Sequence, residues 1–278
     1  MLARQDETAS RDQTRLHNRL RQELLAAFPA VLDAFPDLVA LSALRFLEGW
    51  PSATEAGARS EAELGAFLRR QGHNRPDAAA ARIHAALHAD VLATPVHLAA
   101  ARAGAIRLAA RQLLLLREQR AAWEQRLRDL LAGDHAHPDG EILLSLPGLD
   151  ARLAARVLGE IGDRRERFPT PTALQSYAGT APVTKASGRT RVVVARVACN
   201  RFLRQALLRW AFCSLTTSAW ARAYYDEHRR LGKAHFSALR CLANRWLRIL
   251  HHLLATNQRY DEAIHQRHRT HPSADTAA

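Results

Sequence analysis

Apolar residues recur at helical spacing along most of this chain, and the pattern predicts a protein built mainly from α-helices. The first predicted helix, Arg11–Ala27, has apolar residues on one face of a charged stretch: Leu16, Leu20, Leu24 and Ala27. Short helices are expected between Val31 and Thr94, separated by Gly and Pro residues. Ser60 and Glu63 have the spacing of a capping box, in which both side chains bind backbone N–H groups at the start of a helix.

The stretch from Pro95 to Leu131 predicts one long helix, because it has no Pro after its first residue and a single Gly. Its apolar residues fall on two seams of a heptad repeat: Ile106, Leu113 and Leu127, and then Ala109, Leu116, Trp123 and Leu130. Arg120 interrupts the first seam. Such a helix can form a coiled coil, between protomers or within one, or pack on its own domain. We expect self-association through a coiled coil.

The turn residues of Gly133–Gly140 predict a domain boundary, followed by a compact, mostly helical domain with one short β segment. The first helix of this domain ends at Leu146 and the second spans Asp150–Ile161. The Pro147–Gly148 turn between them is typical of a helix-hairpin-helix element, which holds a phosphate, and equally of a simple helical hairpin. Thr190–Val197, rich in β-branched residues, is the best strand candidate. Two long amphipathic helices follow: Asn200–Trp220 and Phe236–Leu254.

Charge is the feature of the composition that bears most on function. The 278 residues carry a net charge of +13, with 38 Arg and two Lys. Between Lys185 and Leu250 there are 14 Lys and Arg and two acids, a local net charge of +12. A gene rich in G and C would explain Arg in place of Lys, but it would not explain the shortage of acids. A nucleic acid is therefore the expected partner of this segment.

Cysteine, histidine and hydropathy patterns exclude several classes of protein. Three Cys without CxxC spacing argue against a disulfide framework and a zinc site, and the 14 His are scattered, so we expect no metal site. The polar N-terminus is unlike a signal peptide, and no apolar run is long enough to span a bilayer. We expect a cytoplasmic protein that does not bind membranes.

Ser187 is the candidate for chemistry, within the stretch TKASGRTRVVVARV. A serine hydroxyl is a weak nucleophile unless a base removes its proton or positive charge stabilises the product. No His or acid lies within ten residues of Ser187, and its neighbours are cationic: Lys185, Arg189, Arg191 and Arg196. These cations suit attack on a phosphodiester, whose non-bridging oxygens they could hold. An ordinary loop serine before a glycine is the alternative that spacing alone leaves open.

The last predicted helices offer further candidates for nucleic-acid contacts. Arginines three to five residues apart place each set near one helix face: Arg201, Arg204 and Arg209, and then Arg240, Arg245 and Arg248. Three tryptophans occur in the same region: Trp210, Trp220 and Trp246. We expect them to pack in the core, with base stacking as the alternative.

Several ordered motifs resemble the C-terminal half of the IS110/IS1111 family of bacterial transposases. They are LLSLPGLDARLAARVLGEIGD, RFPTPTALQSYAGTAPVTKASG, NRFLRQAL and LGKAHFSALRCLANRWLRILHHLL. The stretch RDQTRLHNRLRQELLAAFP and the helices up to Leu131 resemble the connecting helices and coiled coil of the same family. We therefore expect four segments: a helical connecting region (1–94), a long helix or coiled coil (95–132), a C-terminal serine domain (141–265) and a disordered tail (266–278).

The resemblance implies a transposase that mobilises its own insertion element with a guide RNA encoded by the element. Family members combine a serine that forms a transient covalent link to DNA with an acidic, metal-binding RuvC-like domain. By motif position the serine is Ser187, and Cys199 stands where the family usually has glycine. The residues expected to bind DNA or RNA are Lys185, Gly188, Arg189, Arg191, Arg196, Asn200, Arg201, Arg204, Lys233 and Gly148.

The RuvC-like half has no counterpart in the residue pattern, because Asp6, Glu7 and Asp12 precede no predicted strand. We therefore expect a family member that lacks its metal-binding domain, through truncation or a misplaced start. The divalent metal of the family, with Mg²⁺ the expected ion, would belong to that missing half. One expected function is a DNA-binding transposase that acts through Ser187 without being self-sufficient. The alternatives are a non-catalytic DNA- or RNA-binding remnant that regulates an intact transposase, and a purely structural coiled-coil protein, which the charge disfavours.

Overall fold

The structure, a computed structural model, describes residues 1–89 and 96–263, without the side chains of residues 96 and 97. Within these residues the chain forms 13 α-helices and one antiparallel sheet of two strands, which confirms the mainly α fold class. The helices are α1 (Leu2–Ala27), α2 (Ala30–Ala34), α3 (Leu41–Gly49), α4 (Ala53–Gly57), α5 (Glu61–Arg70), α6 (Pro76–Leu87), α7 (Val96–Ala132), α8 (Gly140–Leu144), α9 (Ala151–Ile161), α10 (Pro171–Tyr177), α11 (Arg201–Ser214), α12 (Ala219–Arg230) and α13 (His235–Thr256). The strands are β1 (Val183–Ser187) and β2 (Thr190–Val194).

The chain divides into two compact units. The N-terminal unit comprises Gln5–Trp123, and the C-terminal unit comprises Met1–Arg4 and Glu124–Ala278. The predicted tail, 266–278, and the predicted boundary between residues 94 and 95 lie outside the described residues.

An aromatic cluster forms the centre of the N-terminal unit. The ring of Phe46 lies 5.1 Å from that of Phe35 and 5.3 Å from that of Trp50, centroid to centroid. The capping box at the start of α5 is confirmed, because Ser60 N donates to Glu63 Oε2 (2.8 Å) and Glu63 N donates to Ser60 Oγ (3.3 Å). Local capping therefore sets where α5 begins.

The N-terminal part of α7 packs in the core of the N-terminal unit. Ile106 and Leu113 of the first heptad seam and Ala109 of the second are buried there. Arg120 Nε, at the interruption of the seam, donates to Asp6 Oδ1 (2.9 Å). This arrangement agrees with a long helix packed on its own domain. Leu130, from the second seam, is exposed, and a coiled coil between protomers stays a prediction.

Three buried tryptophans form the centre of the C-terminal unit. The ring of Trp246, on α13, lies 5.1 Å from that of Trp210 and 4.6 Å from that of Trp220. Each indole N–H has an acceptor: Pro147 O (3.0 Å) for Trp210, Tyr260 Oη (2.6 Å) for Trp220 and Ser214 Oγ (2.9 Å) for Trp246. Because the core encloses these rings, they are packing residues and are not available to stack on bases.

The turn between α8 and α9 is fitted tightly against α11. Gly148 has φ +78°, and a Cβ at this position would lie 2.6 Å from Ser214 N, so only glycine fits. Asp150 caps α9, since its Oδ1 accepts a hydrogen bond from Leu153 N (2.8 Å). A carboxylate therefore already binds the N-terminus of α9, and the helix-hairpin-helix role stays a prediction.

Candidate functional site

Ser187 lies at the tip of a β-hairpin whose side chains are mostly exposed. β1 and β2 pair in antiparallel register with Ser187 opposite Thr190, and Gly188 and Arg189 form the turn between them. Gly188 has φ +56°, a left-handed conformation that costs glycine little. Glycine at the first turn position is typical of type II′ turns, whose twist matches that of antiparallel strands. The glycine after the serine therefore has a structural reason: it turns the chain at the hairpin tip.

The register also sorts the cations of the hairpin onto two faces, because successive side chains of a strand point to opposite sides. Ser187, Thr190 and Lys185 share one face. Arg191 pairs with Ala186 and lies on the other face. Of the strand cations expected around Ser187, the fold thus places Lys185 beside it and turns Arg191 away.

The hairpin exposes apolar as well as cationic side chains. Val192 and Val193, on opposite faces of β2, are both exposed, and so is Val197 beyond the strand. Exposed valines in a small sheet are typical of a surface that a partner covers. The hairpin contains no acid, so that partner would meet positive charge and apolar surface together.

The two ends of the hairpin segment are fastened together at a neck formed by Tyr177 and Asn200. Asn200 N donates to Tyr177 O (2.8 Å), and Asn200 Nδ2 donates to both Tyr177 Oη (2.8 Å) and Glu160 Oε2 (2.7 Å). Asn200 Oδ1 caps α11 by accepting from Leu203 N (3.0 Å). Because the hydrogen bonds of its amide are made within the protein, Asn200 holds the neck in this structure.

Glu160 is a buried carboxylate that our reading of the sequence did not single out. Arg4 binds it with two hydrogen bonds, from Nε to Oε1 (2.7 Å) and from Nη2 to Oε2 (2.9 Å). The hydrogen bonds from Arg4 lower the pKa of Glu160 below its ordinary value, against the opposing effect of burial, and Asn200 lowers it further. A sequence signal exists, because Glu160 falls at helical spacing after the apolar Leu153 and Val157, on the buried face of α9.

A second set of contacts ties the neck to α13. Thr180 Oγ1 donates to Asn244 Oδ1 (2.8 Å), and Gln175 Nε2 donates to Asn244 O (2.9 Å). Cys199 packs directly on Gly179, where a Cβ would lie 2.6 Å from the Cys199 Sγ. The cysteine that departs from the expected motif therefore fits here because residue 179 has no side chain.

The other predicted binding residues are distributed unevenly. Arg196 lies by the neck, where Arg204 Nη1 donates to its carbonyl (3.4 Å), and its own Nε is buried without a hydrogen-bond partner among the described residues. Arg201 is exposed at the start of α11. Lys233 lies between α12 and α13, with Nζ 3.4 Å from Cys241 Sγ. Gly148 belongs to the packing of α11, apart from the hairpin.

Comparison with known proteins places this geometry in a family. The model of the transposase IS116/IS110/IS902 family matches residues 140–226, which include the neck and the hairpin. The chain is 38% identical over 272 residues to the mini-circle putative transposase for IS117 of Streptomyces coelicolor, covering 94% of this chain and 64% of that protein. Residues 140–226 carry the domain of the IS116/IS110/IS902 transposase family.

Two further relatives of this chain are proteins of insertion elements. The uncharacterized 42 kDa protein of insertion element IS900 from Mycobacterium paratuberculosis is 30% identical over 271 residues, which is 96% of this chain and 63% of that protein. The uncharacterized 43.6 kDa protein of insertion element IS110 from Streptomyces coelicolor is 37% identical over 156 residues, 56% of this chain and 38% of that protein. The chain thus spans less than two thirds of the length of these relatives.

The divalent metal that the resemblance implies has no matching set of donors in the part of the chain that the structure describes. Within residues 1–89 and 96–263, no group of three or more His, Cys, Asp or Glu side chains could hold a metal ion. The described residues therefore do not fit such a site. In the same part of the chain, no helix combines the length and apolar character needed to cross a membrane.

Proposed function

We propose that this chain takes part in DNA transposition, with the β1–β2 hairpin as the element that meets DNA and Ser187 as the nucleophile. The observation that carries the proposal is the placement of Ser187 at the exposed tip of a basic hairpin in a domain of a transposase family. A phosphodiester can approach the hydroxyl at this position without displacing any core residue.

In the proposed step, Ser187 Oγ attacks the phosphorus of a DNA phosphodiester. The Oγ–P bond forms, the bond from phosphorus to one sugar oxygen breaks, and that oxygen takes up a proton and leaves as a hydroxyl. The serine proton passes to water. One phosphodiester replaces another, so the free energy of the broken bond is kept in the link between serine and DNA. That link can later be exchanged again to rejoin the strand. The Lys185 ammonium, on the same face, offsets the charge that develops on the non-bridging oxygens.

The proposal extends to the partners. The local net charge of +12 between Lys185 and Leu250 supports attraction to phosphate backbones, DNA in the first place and a guide RNA in addition. We also propose self-association through α7, where Leu130 of the second heptad seam is exposed.

Replacing the hydroxyl tests the proposed chemistry. We expect the full chain to form an SDS-resistant adduct with a labelled duplex that carries the ends of its own insertion element. Ser187→Ala should abolish the adduct and leave the affinity for DNA in a gel-shift titration unchanged, because only Oγ is lost. Thr190→Val removes the hydroxyl opposite Ser187 and keeps a β-branched side chain, so this control should still form the adduct.

Two results would contradict the assignment of Ser187. One is an adduct that persists in Ser187→Ala. The other is a wild-type chain that binds the duplex and forms no adduct, which would favour the second candidate function, a non-catalytic nucleic-acid-binding regulator of a complete transposase.

A further inference from the structure

A group of aromatic side chains faces solvent where α11 ends and α13 begins. Phe236 is 70% exposed and Phe212 is 56% exposed. Their rings gather around His235, with ring centroids 5.1 Å from it for Phe236 and 6.3 Å for Phe212. Tyr225, on α12, lies 5.8 Å from His235 by ring centroid. We call Phe212, Tyr225, His235 and Phe236 the aromatic platform.

The platform is built in advance of any partner. Tyr225 Oη lies 2.7 Å from His235 Nδ1, a hydrogen bond that joins α12 to the first residue of α13 and fixes the central ring. Phe212 and His235 meet edge to face. The rings therefore lie in place on three helices of one unit, and a ligand would not have to order them.

Exposure of these rings is unusual for this unit, whose three tryptophans are buried and hydrogen-bonded. Leaving a large apolar side chain in water gives up the free energy that its burial would contribute. Clustered exposed aromatic residues are typical of binding surfaces, where they supply contact area with little loss of side-chain entropy.

Positive charge surrounds the platform and indicates what it binds. The loop and helix ends beside it carry Arg229, Lys233 and Arg240, and no acid occurs between His228 and Leu250. Arg230 adds no free charge, because it pairs with Glu227. Arg229 Nη1 donates to Lys233 O (2.7 Å), which holds this rim of the platform together. Flat apolar rings next to cations match a strand that alternates bases with phosphates. In a duplex the base faces are covered by neighbouring bases, so only unpaired bases can stack on a ring.

We propose that the aromatic platform binds unpaired nucleobases of a single-stranded nucleic acid. Bases stack on Phe236 and Phe212, and Lys233 and Arg229 hold the adjoining phosphates. The site is separate from the hairpin and rests on the proposed function only in taking nucleic acid as the partner. It does not need Ser187 to be a nucleophile. The same chemistry would receive an unpaired stretch of a guide RNA or a strand of opened DNA.

Binding of short single strands to the full chain tests the proposal. The probes are DNA and RNA oligonucleotides of about 12 nucleotides, single-stranded or annealed to a complement. We expect Phe236→Ala and Phe212→Ala each to weaken single-strand binding in fluorescence anisotropy by about fivefold or more, because a stacking partner is lost. Phe236→Trp should restore it. Both phenylalanines are mostly exposed, so their replacement leaves the core intact.

Leu231→Ala is the matched control. Leu231 lies in the same loop and is 65% exposed, but it has no ring, so its loss should leave single-strand binding unchanged. A second measurement locates the base: 5-iodouracil in the probe should cross-link to Phe236 or Phe212 on irradiation, and the adduct is identified by mass spectrometry. Ser187→Ala should bind and cross-link like the wild type, which separates this proposal from the proposed nucleophile.

Three results would overturn the platform assignment. The first is unchanged single-strand binding in both phenylalanine variants. The second is an equal loss in Leu231→Ala, which would show that apolar contact in general, and not stacking on a ring, carries the binding. The third is an equal loss of duplex binding, which would show that the platform does not select unpaired bases. Tighter binding of the RNA probe would assign the platform to a guide strand, and tighter binding of the DNA probe to an opened DNA strand.

Discussion

At the base of the hairpin, the carboxylate of Glu160 joins two parts of the chain that are far apart in sequence. Arg4 binds both of its oxygens, and Asn200 binds one of them from the start of α11. A buried charge is costly unless it is paired and hydrogen-bonded, so Arg4 and Asn200 offset the cost of burying the Glu160 carboxylate. Tyr177 extends the network, because its hydroxyl also accepts from Arg167 Nη2 (2.9 Å).

Acid should destabilise the protein in part through Glu160. Its lowered pKa means that its contribution to the free energy of unfolding is fully present above the ordinary pKa of a Glu carboxyl and is lost as the pH falls through the folded value. We expect Glu160→Gln to lower that free energy at pH 7 by about 1–2 kcal/mol, a modest value because Arg4 is largely exposed. The difference from the wild type should shrink in acid, as urea unfolding at a series of pH values can measure.

The exposed Glu166 provides the control for this experiment. Glu166→Gln should unfold like the wild type at every pH. A gap between Glu160→Gln and the wild type that stays constant, or that widens as the pH falls, would show that the ion pair does not contribute in the way described.

The role of these residues could be predicted only in part. Asn200 was recognisable from its motif, but the motif did not predict the internal hydrogen bonds of its side chain, and its contact with nucleic acid stays a prediction. Glu160 lies 40 residues away from Asn200 and 156 from Arg4. Hydrogen bonds between such distant residues depend on how helices pack, which the local pattern of residues does not contain.

Among the elements, the β1–β2 hairpin relies most on contacts at its two ends for its stability. A two-stranded hairpin is marginally stable alone, and this one buries little of its surface. Its position relies on the neck at one end and the turn at Gly188 at the other. Its register matters for chemistry, because a slip of one strand by one residue would bring Arg191 onto the face of Ser187 and Lys185.

The two faces of the hairpin provide a matched pair of substitutions. Lys185→Ala and Arg191→Ala each remove one positive charge from an exposed strand residue, but only Lys185 shares a face with Ser187. We expect Lys185→Ala to slow adduct formation by about tenfold or more at saturating DNA, since it removes charge stabilisation at the reacting phosphate. Arg191→Ala should weaken DNA binding and leave the rate at saturation unchanged. Equal rates in the two variants would mean that the observed register does not govern the reaction.

Sequence patterns predicted the helices better than the sheet. β2 was expected from its β-branched residues, but β1 was not, because Lys-Ala-Ser has little intrinsic preference for strands and depends on pairing with β2. The predicted helix Asn200–Trp220 is two helices, with a break that Ser218 marks by capping α12. A cap inside a continuous amphipathic pattern is easily missed, since the apolar spacing carries on across it.

At the scale of the whole molecule, the charges are distributed unevenly between ion pairs and unpaired surface. Arginines of the N-terminal unit bind acids, as in the pairs of Arg107 with Glu55 and Arg111 with Glu48. The segment from Lys185 to Leu250 has two acids of its own for 14 cations. Most of its charge is therefore left for a polyanion.

This distribution predicts a steep salt dependence of DNA binding. Each phosphate contact contributes about 0.9 to the slope of log affinity against log salt. A triple variant, Lys185→Ala with Arg189→Ala and Arg191→Ala, should lower the slope by about 2–3 in anisotropy titrations. The control carries Arg45→Ala, Arg107→Ala and Arg111→Ala, which removes equal charge from paired arginines and should leave the slope unchanged. Equal slopes for both triple variants would contradict hairpin binding.

The helical fold class and the basic segment were both predictable from the sequence, because periodicity and charge are properties of the chain itself. The sequence was a poorer guide to which aromatic side chains are exposed. Tryptophans were expected in the core, and all three in the C-terminal unit are buried, but nothing in the pattern singled out Phe212 or Phe236 as exposed. Phe212 lies on the same helix as the buried Trp210, and only the packing of α13 decides which of the two faces inward.

The neck has a practical consequence for protein engineering. Because Asn200 N and Tyr177 O are hydrogen-bonded at 2.8 Å, the chain leaves the helical core and returns to it at one point. The exposed hairpin Val183–Val194 is thus an insertion between two points of the helical core that are held together without it. It could be exchanged for the corresponding hairpin of a relative without changing the path of any helix. The DNA preference proposed for the hairpin and the stability of the core could then be altered independently.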